Sequence, residues 1–165
     1  MPQAVKLKAR LRDFFFRPSS GEILSALRIV VGAMMLLKAL FLLPHLEDLF
    51  GEYGYLQSRL MDAIGGENIS SWLIKNGFSG ERFSVALHVY FVAHILSAFF
   101  FMLGYKTKLA NVVLWFTQAA LFRLGWESVY GIDSYCHNLT FLMIWLPVGR
   151  YWSLDYWETR RRSTA

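Results

Sequence analysis

Residues 83–104, FSVALHVYFVAHILSAFFFMLG, run for 22 positions without an Asp, Glu, Lys or Arg. As a helix rising 1.5 Å per residue the segment is about 33 Å long, enough for the roughly 30 Å hydrocarbon layer of a bilayer. A surface helix of a soluble bundle needs a polar face for water, and this segment has no charged one. Lipid offers a backbone no hydrogen bonds, so helix is the default for such a run. Three further apolar runs occur at Ile23 to Pro44, Thr107 to Gly125 and Asp133 to Trp152. The first is long enough to span alone. The last two are shorter, but their ends carry Arg123, Asp133, Tyr151 and Trp152, residue types that sit at membrane interfaces. Composition points the same way: 55% of the residues are apolar and 18% charged, where soluble domains average about 25% charged. The 165 residues suit one domain. The expected fold is all-α, an integral membrane four-helix bundle. A soluble helical bundle is the rival, with 83–104 as its weak point.

Charge gives the expected orientation. The N-terminal arm holds Lys6, Lys8, Arg10, Arg12 and Arg17, the turn after the second run Lys106 and Lys108, and the C-terminal part Arg150, Arg160, Arg161 and Arg162. The opposite side holds only Arg59, Lys75, Arg82 and Arg123, against eight acids: Glu47, Asp48, Glu52, Asp62, Glu67, Glu81, Glu127 and Asp133. The positive-inside rule places both termini in the cytoplasm, and an even number of crossings requires them to share a side. A bacterial plasma membrane is the expected location.

The division that follows is a basic cytoplasmic arm over 1–20, a four-span domain over 21–157 and a basic tail over 158–165. Ser19 and Glu22 have capping-box spacing before the first span, and Pro44 and Gly104 are suited to end the first two helices. Between those helices lies an outer segment, 45–81. In it Leu56, Leu60, Met61 and Ile64 share a helical face, and Ile69, Trp72, Leu73 and Ile74 cluster again. Two short amphipathic helices on the membrane surface account for this pattern, and so does an ordinary packed loop.

Several function classes find no motif. Cys136 is the single cysteine, so no internal disulfide forms. The first 20 residues lack the apolar core of a secretory signal. Asn68-Ile69-Ser70 matches a glycosylation sequon, a weak signal. There is no phosphate-binding glycine loop, Ser-His-Asp pattern or zinc spacing, and basic residues without a soluble domain argue against nucleic acid.

Candidate sites lie on the runs themselves. Arg28 and Lys38 fall within the first span, where charge is a functional hypothesis by default. Arg28 can snorkel or meet Asp155; Lys38 can snorkel or meet Asp48, Glu127 or Asp133. Both could instead line a pocket for a lipid or quinone headgroup. His88, His94 and His137 are candidate cofactor ligands, for a histidine-ligated pigment or haem. His88 and His94, six apart, are rotated about 120° on a helix, so one cofactor does not suit both, whereas a His94–His137 pair across helices stays open. Hydrogen bonding to another helix is the alternative for each. Cys136 and His137 are adjacent and point about 100° apart, so they cannot form a dyad together. Arg123, Glu127 and Asp133 fit a wet rim with interfacial ion pairs. Arg160, Arg161 and Arg162 suit anionic lipid or a neighbouring subunit.

Four phrases read together: "ALRIVVGAMMLL", "LEDLFGEYGYL", "MLGYKTKLANVVLWF" and "GIDSYCHNLTFLMIWLPVGRYWSLD". In this order and spacing the chain resembles the HTTM domain, the membrane module related to vitamin K-dependent gamma-carboxylase, over about residues 20 to 157. "LGYKTKLA" and "LPVGRYWSLD" are the nearest pieces. Enzymes of that family are longer, with more membrane helices and a large outer domain. The resemblance implies a lysine base near the outer end of the helix that here ends "LFRLGW". Leu124 stands there, between Arg123 and Gly125. Arginine stays protonated and cannot replace such a base.

The expected function is therefore a non-catalytic accessory subunit of a larger membrane complex, an energy-transducing one among the candidates, in contact with lipid and other membrane subunits. A reduced, quinol-dependent carboxylase-like enzyme and a lipid- or quinone-binding protein are the alternatives.

Overall fold

The computed structural model describes residues 21–54, 69–124 and 131–163, and these are helical with no strand among them. We number the helices α1 (Glu22–Leu42), α2 (Leu46–Phe50), α3 (Ile69–Lys75), α4 (Glu81–Leu103), α5 (Thr107–Leu124), α6 (Gly131–Trp145) and α7 (Leu154–Ser163), with a single 3-10 turn, Leu43–His45, between α1 and α2. The N-terminal arm, the face from Leu56 to Ile64, Glu127 and Ser19 lie outside the described residues.

Two helices, the one that starts at Glu22 and α4, are long and apolar enough to cross a membrane. The four long helices close a ring in which α1 packs on α4, α4 on α5, α5 on α6 and α6 back on α1. Where α1 meets α4, Gly32 lies against the backbone of Met102, and a Cβ there would come within 2.9 Å of the Met102 Cα. The missing side chain lets the two helices approach closely.

Helix ends follow local chemistry. Pro44 opens the 3-10 turn that ends α1. At α1's start Gly21 is the cap residue and no side chain caps it. The capping-box expectation rested on Ser19, beyond the described residues. Gly104 ends α4 with φ +70°, and the amides of Gly104 and Tyr105 bond back to Phe101 and Phe100, the paired bonds of a Schellman cap. The fourth apolar run differs from expectation. Its helix stops at Trp145, and Pro147 and Gly149 turn the chain over 146–152. With 15 residues α6 is about 22 Å long. The expected C-terminal tail is helical through Ser163.

Two apolar clusters fill the ring. One gathers Val31, Met35, Ala98, Phe101, Leu114 and Met143 toward the end where α7 lies. The other gathers Ala39, Leu46, Phe50, Phe83, Phe91 and Leu124 toward the end where α2 lies.

Candidate functional site

Between those clusters the sequence places polar side chains at inward positions, and they form a layer across the bundle. Lys38 stands between Met35 and Ala39 on α1, His94 between Phe91 and Ala98 on α4, and Gln118 between Leu114 and Leu124 on α5. Lys38 Nζ lies 2.6 Å from Asp133 Oδ1 at the first turn of α6, with the carboxylate buried and the lysine about one-third exposed. Of the two expected partners of Lys38 that lie among the described residues, Asp48 and Asp133, it is Asp133 that pairs with it. His94 is 2% exposed, and its Nδ1 lies 2.8 Å from Thr117 Oγ1 on α5. The Thr117 hydroxyl donates to the Leu114 carbonyl at 3.0 Å, so it accepts from His94, which puts the imidazole proton on Nδ1. Lys38 also lies within electrostatic reach of His94 and Cys136. Next to the layer, Ser97 donates to the His94 carbonyl, and Asn111, fully buried, donates to the Thr140 carbonyl at 3.0 Å.

His137 sits elsewhere. Its ring stacks on Trp115, centroids 5.2 Å apart and planes 13° apart, with Phe122 at 5.1 Å on another side. Trp115 and Phe122 are seven residues apart on one face of α5, whereas Thr117, which holds His94, is 200° around from Trp115. The helix α5 therefore stands between the two histidines, and they are not brought to one ligand. Both Trp115 Nε1 and His137 Nδ1 are buried without a hydrogen-bond partner. His88 is exposed, its Nδ1 2.9 Å from the Ser84 carbonyl and 3.4 Å from Glu47. Cys136 is buried in the apolar cluster near α7, away from the His137 stack. Among the described residues no three His, Cys, Asp or Glu side chains gather as a metal site.

Arg28 forms a second polar centre. It is fully buried, which rules out snorkelling, and it makes no ion pair with Asp155 within 4 Å among the contacts described. Nη2 donates to the Trp152 carbonyl at 2.6 Å, while Nε and Nη1 have no hydrogen-bond partner. Its guanidinium lies against Gly104, where any Cβ would overlap it and Ser153. Asp155 contributes a longer-range attraction, and its carboxylate accepts from the amides of Lys106 and Thr107 at 2.8 Å and from Thr107 Oγ1 at 2.7 Å. Ser153 caps α7 by accepting from the Tyr156 amide at 3.0 Å. The Arg28 expectation of a headgroup or partner contact thus meets a buried side chain that ties three segments together.

Arg123 is exposed at the end of α5. Arg160, Arg161 and Arg162 are exposed on α7, Arg162 pairing with Glu158 at 2.6 Å. Hollows open near the α2 end. One, about 500 Å³, opens among Glu47, Asp48, Glu52, Gly80 and Ser84. The other is apolar, about 110 Å³, lined by Leu73, Phe83, Leu87, Tyr90 and Leu124. The second is well below the roughly 300 Å³ at which small-molecule sites begin.

Neither charge nor histidine position marks Thr117, Asn111, Trp115 or Phe122 in the sequence. Asn111, Leu114 and Gln118 are spaced three and four apart, which marks the inward face of α5. Trp115 and Phe122 share a seven-residue spacing on another face. No family model, curated protein or solved structure matches the chain.

Proposed function

We propose that this is an integral membrane protein in which α1, α4, α5 and α6 cross the bilayer with both termini cytoplasmic, serving as a non-catalytic accessory subunit of a larger membrane assembly. The observation that carries this reading is an inverted distribution of side chains. Apolar residues face outward on all four helices: Val30, Leu37 and Leu40 on α1, Val85, Val89 and Leu96 on α4, Leu109 and Phe116 on α5, Leu142 and Trp145 on α6. Polar ones turn inward: Arg28, His94, Asn111, Gln118, Asp133 and Thr140 are buried. Water would select the opposite pattern, and so large an apolar exterior belongs against lipid or protein.

The subunit part has separate support. The polar layer bonds to itself, Lys38 to Asp133 and His94 to Thr117, as groups do that hold helices together. At about 22 Å, α6 is short for a 30 Å layer, a mismatch that association relieves. The two phrases nearest the HTTM domain, "LGYKTKLA" and "LPVGRYWSLD", form the α4–α5 and α6–α7 turns, which meet around Gly104 and Asp155. What the resemblance supports here is a structural knot, in keeping with the absence of a lysine at Leu124.

Carbonate washing of membranes followed by mild detergent extraction and native sizing tests the proposal. The chain should stay in the membrane fraction and migrate with companion polypeptides, far above its own 19.1 kDa. Release by carbonate would overturn the membrane reading. Membrane-bound protein without companions of another sequence would overturn the subunit reading.

A further inference from the structure

The helix α6 has two opposed rows. Asp133, Cys136, Thr140 and Met143 are buried. Two residues on from each, 200° around the helix, stand Tyr135, Asn138, Leu142 and Trp145, and all four are exposed. Tyr135 is 73%, Leu142 55% and Trp145 78% accessible. Gly131, with open space where a Cβ would stand, continues the row. Its 4-3-4-3 spacing is that of a helix pairing seam.

Asn138 is the odd member. It lies seven residues from each end of α6, about 10 Å along the axis, and no described residue hydrogen-bonds its side chain. A lysine or arginine at that depth could reach toward an interface, but an asparagine side chain is too short. An amide turned to hydrocarbon leaves its donors and acceptor unpaired, at a cost lipid cannot offset. A second helix offset by hydrogen bonds removes that cost. The amide carries both donor and acceptor, so it complements itself. Copies of a membrane protein insert in one orientation, so a two-fold axis between them runs along the bilayer normal. Each residue of a self-packed helix then meets its own counterpart at its own depth.

We propose that α6 packs in parallel against α6 of a second copy of this chain along Gly131, Tyr135, Asn138, Leu142 and Trp145, the two Asn138 amides bonding to each other across the two-fold axis. This rests on the reading of α6 as a membrane crossing, and goes beyond it in naming the occupant of one face.

The test is cysteine cross-linking of the full chain in membranes, with Cys136→Ala as background. Oxidation of Tyr135→Cys and of Leu142→Cys should give a covalent dimer, while Val89→Cys on α4 and Phe116→Cys on α5, equally exposed, should not. With Leu142→Cys as reporter, Asn138→Leu should lower the dimer fraction roughly three- to tenfold, as for loss of one or two interhelical hydrogen bonds, and Asn138→Gln should restore most of it. No dimer at 135 and 142, equal yields at 89 and 116, or a cross-link to a different polypeptide would each overturn the proposal. So would an undiminished dimer with Asn138→Leu. Carbonate release of the chain condemns the membrane reading itself, whereas retention without the cross-linking pattern condemns the dimer alone.

Discussion

The two ends of the bundle use one device in different surroundings. At each, a carboxylate beside a short helix caps the start of a long one. At the α7 end Asp155 takes the Lys106 and Thr107 amides and the Thr107 hydroxyl at the start of α5. At the α2 end Glu52 takes the Gly80 amide and Glu47 takes the Ser84 hydroxyl, at the start of α4. The first sits half-buried beside a fully buried arginine and a glycine that admits no side chain. The second faces an open hollow. A hydrogen bond gains little net free energy where water competes for both partners, and more where water is excluded and neighbours hold the geometry. The α7 end should therefore be the rigid one, and substitutions there should cost more than matching ones at the α2 end.

The strongest way to break that contrast is Gly104→Val. A branched side chain at φ +70° is strained by about 1–2 kcal/mol, and its Cβ would displace the Arg28 guanidinium and Ser153, adding about 1–3 kcal/mol of overpacking. A loss of about 2–5 kcal/mol should empty the membrane fraction or lower the thermal transition in detergent by many degrees. A variant that accumulates and melts like the parent would mean that Arg28 is not wedged there.

Asp155→Ala sharpens the comparison at the level of the cap. It removes three bonds to a charged acceptor and the attraction felt by Arg28. With the carboxylate only half-buried, the expected loss is about 2 kcal/mol, read by chemical or thermal unfolding in detergent. Asp155→Asn, which keeps one acceptor oxygen, should recover part of it.

How much of this contrast could be read in the sequence depends on the range of the interaction. The helical runs were legible because the 22 charge-free residues of 83–104 speak for themselves, and Pro44 and Gly104 act on their own backbone. The stop of α6 at Trp145 is hidden in the sequence because apolar side chains continue through Pro147, and hydropathy does not register a backbone break. The ion pair of Lys38 could be narrowed to three acids but not to Asp133, since the choice depends on the rotation of α1 against α6. Arg28 shows the limit most clearly. Position alone allows it to snorkel or to meet Asp155, and only the meeting of two distant turns, 104–107 and 152–155, makes a buried one tolerable. The pairing of His94 with Thr117, not with a cofactor shared with His137, depends likewise on which face of α5 each histidine meets.

The smallest expected effect falls at the other end and is the sharpest control. Glu47 is about half-exposed, and its carboxylate holds Ser84 and stands 3.4 Å from His88, itself half-exposed. Solvent screens that pair, and ordering the glutamate chain costs side-chain entropy, so Glu47→Ala should lower stability by no more than about 0.5–1 kcal/mol. Measured under the same detergent conditions as Asp155→Ala, it removes one bond from a side-chain hydroxyl, where Asp155→Ala removes two amide bonds and a hydroxyl bond, so the quantity to compare is the loss per hydrogen bond. If the losses per bond come out equal, exclusion of water around Arg28 and Gly104 is not what stiffens the α7 end. If Asp155→Ala costs more per bond, and raising ionic strength shrinks the Glu47 effect while leaving the Asp155 effect in place, the difference lies in the surroundings and not in the number of bonds.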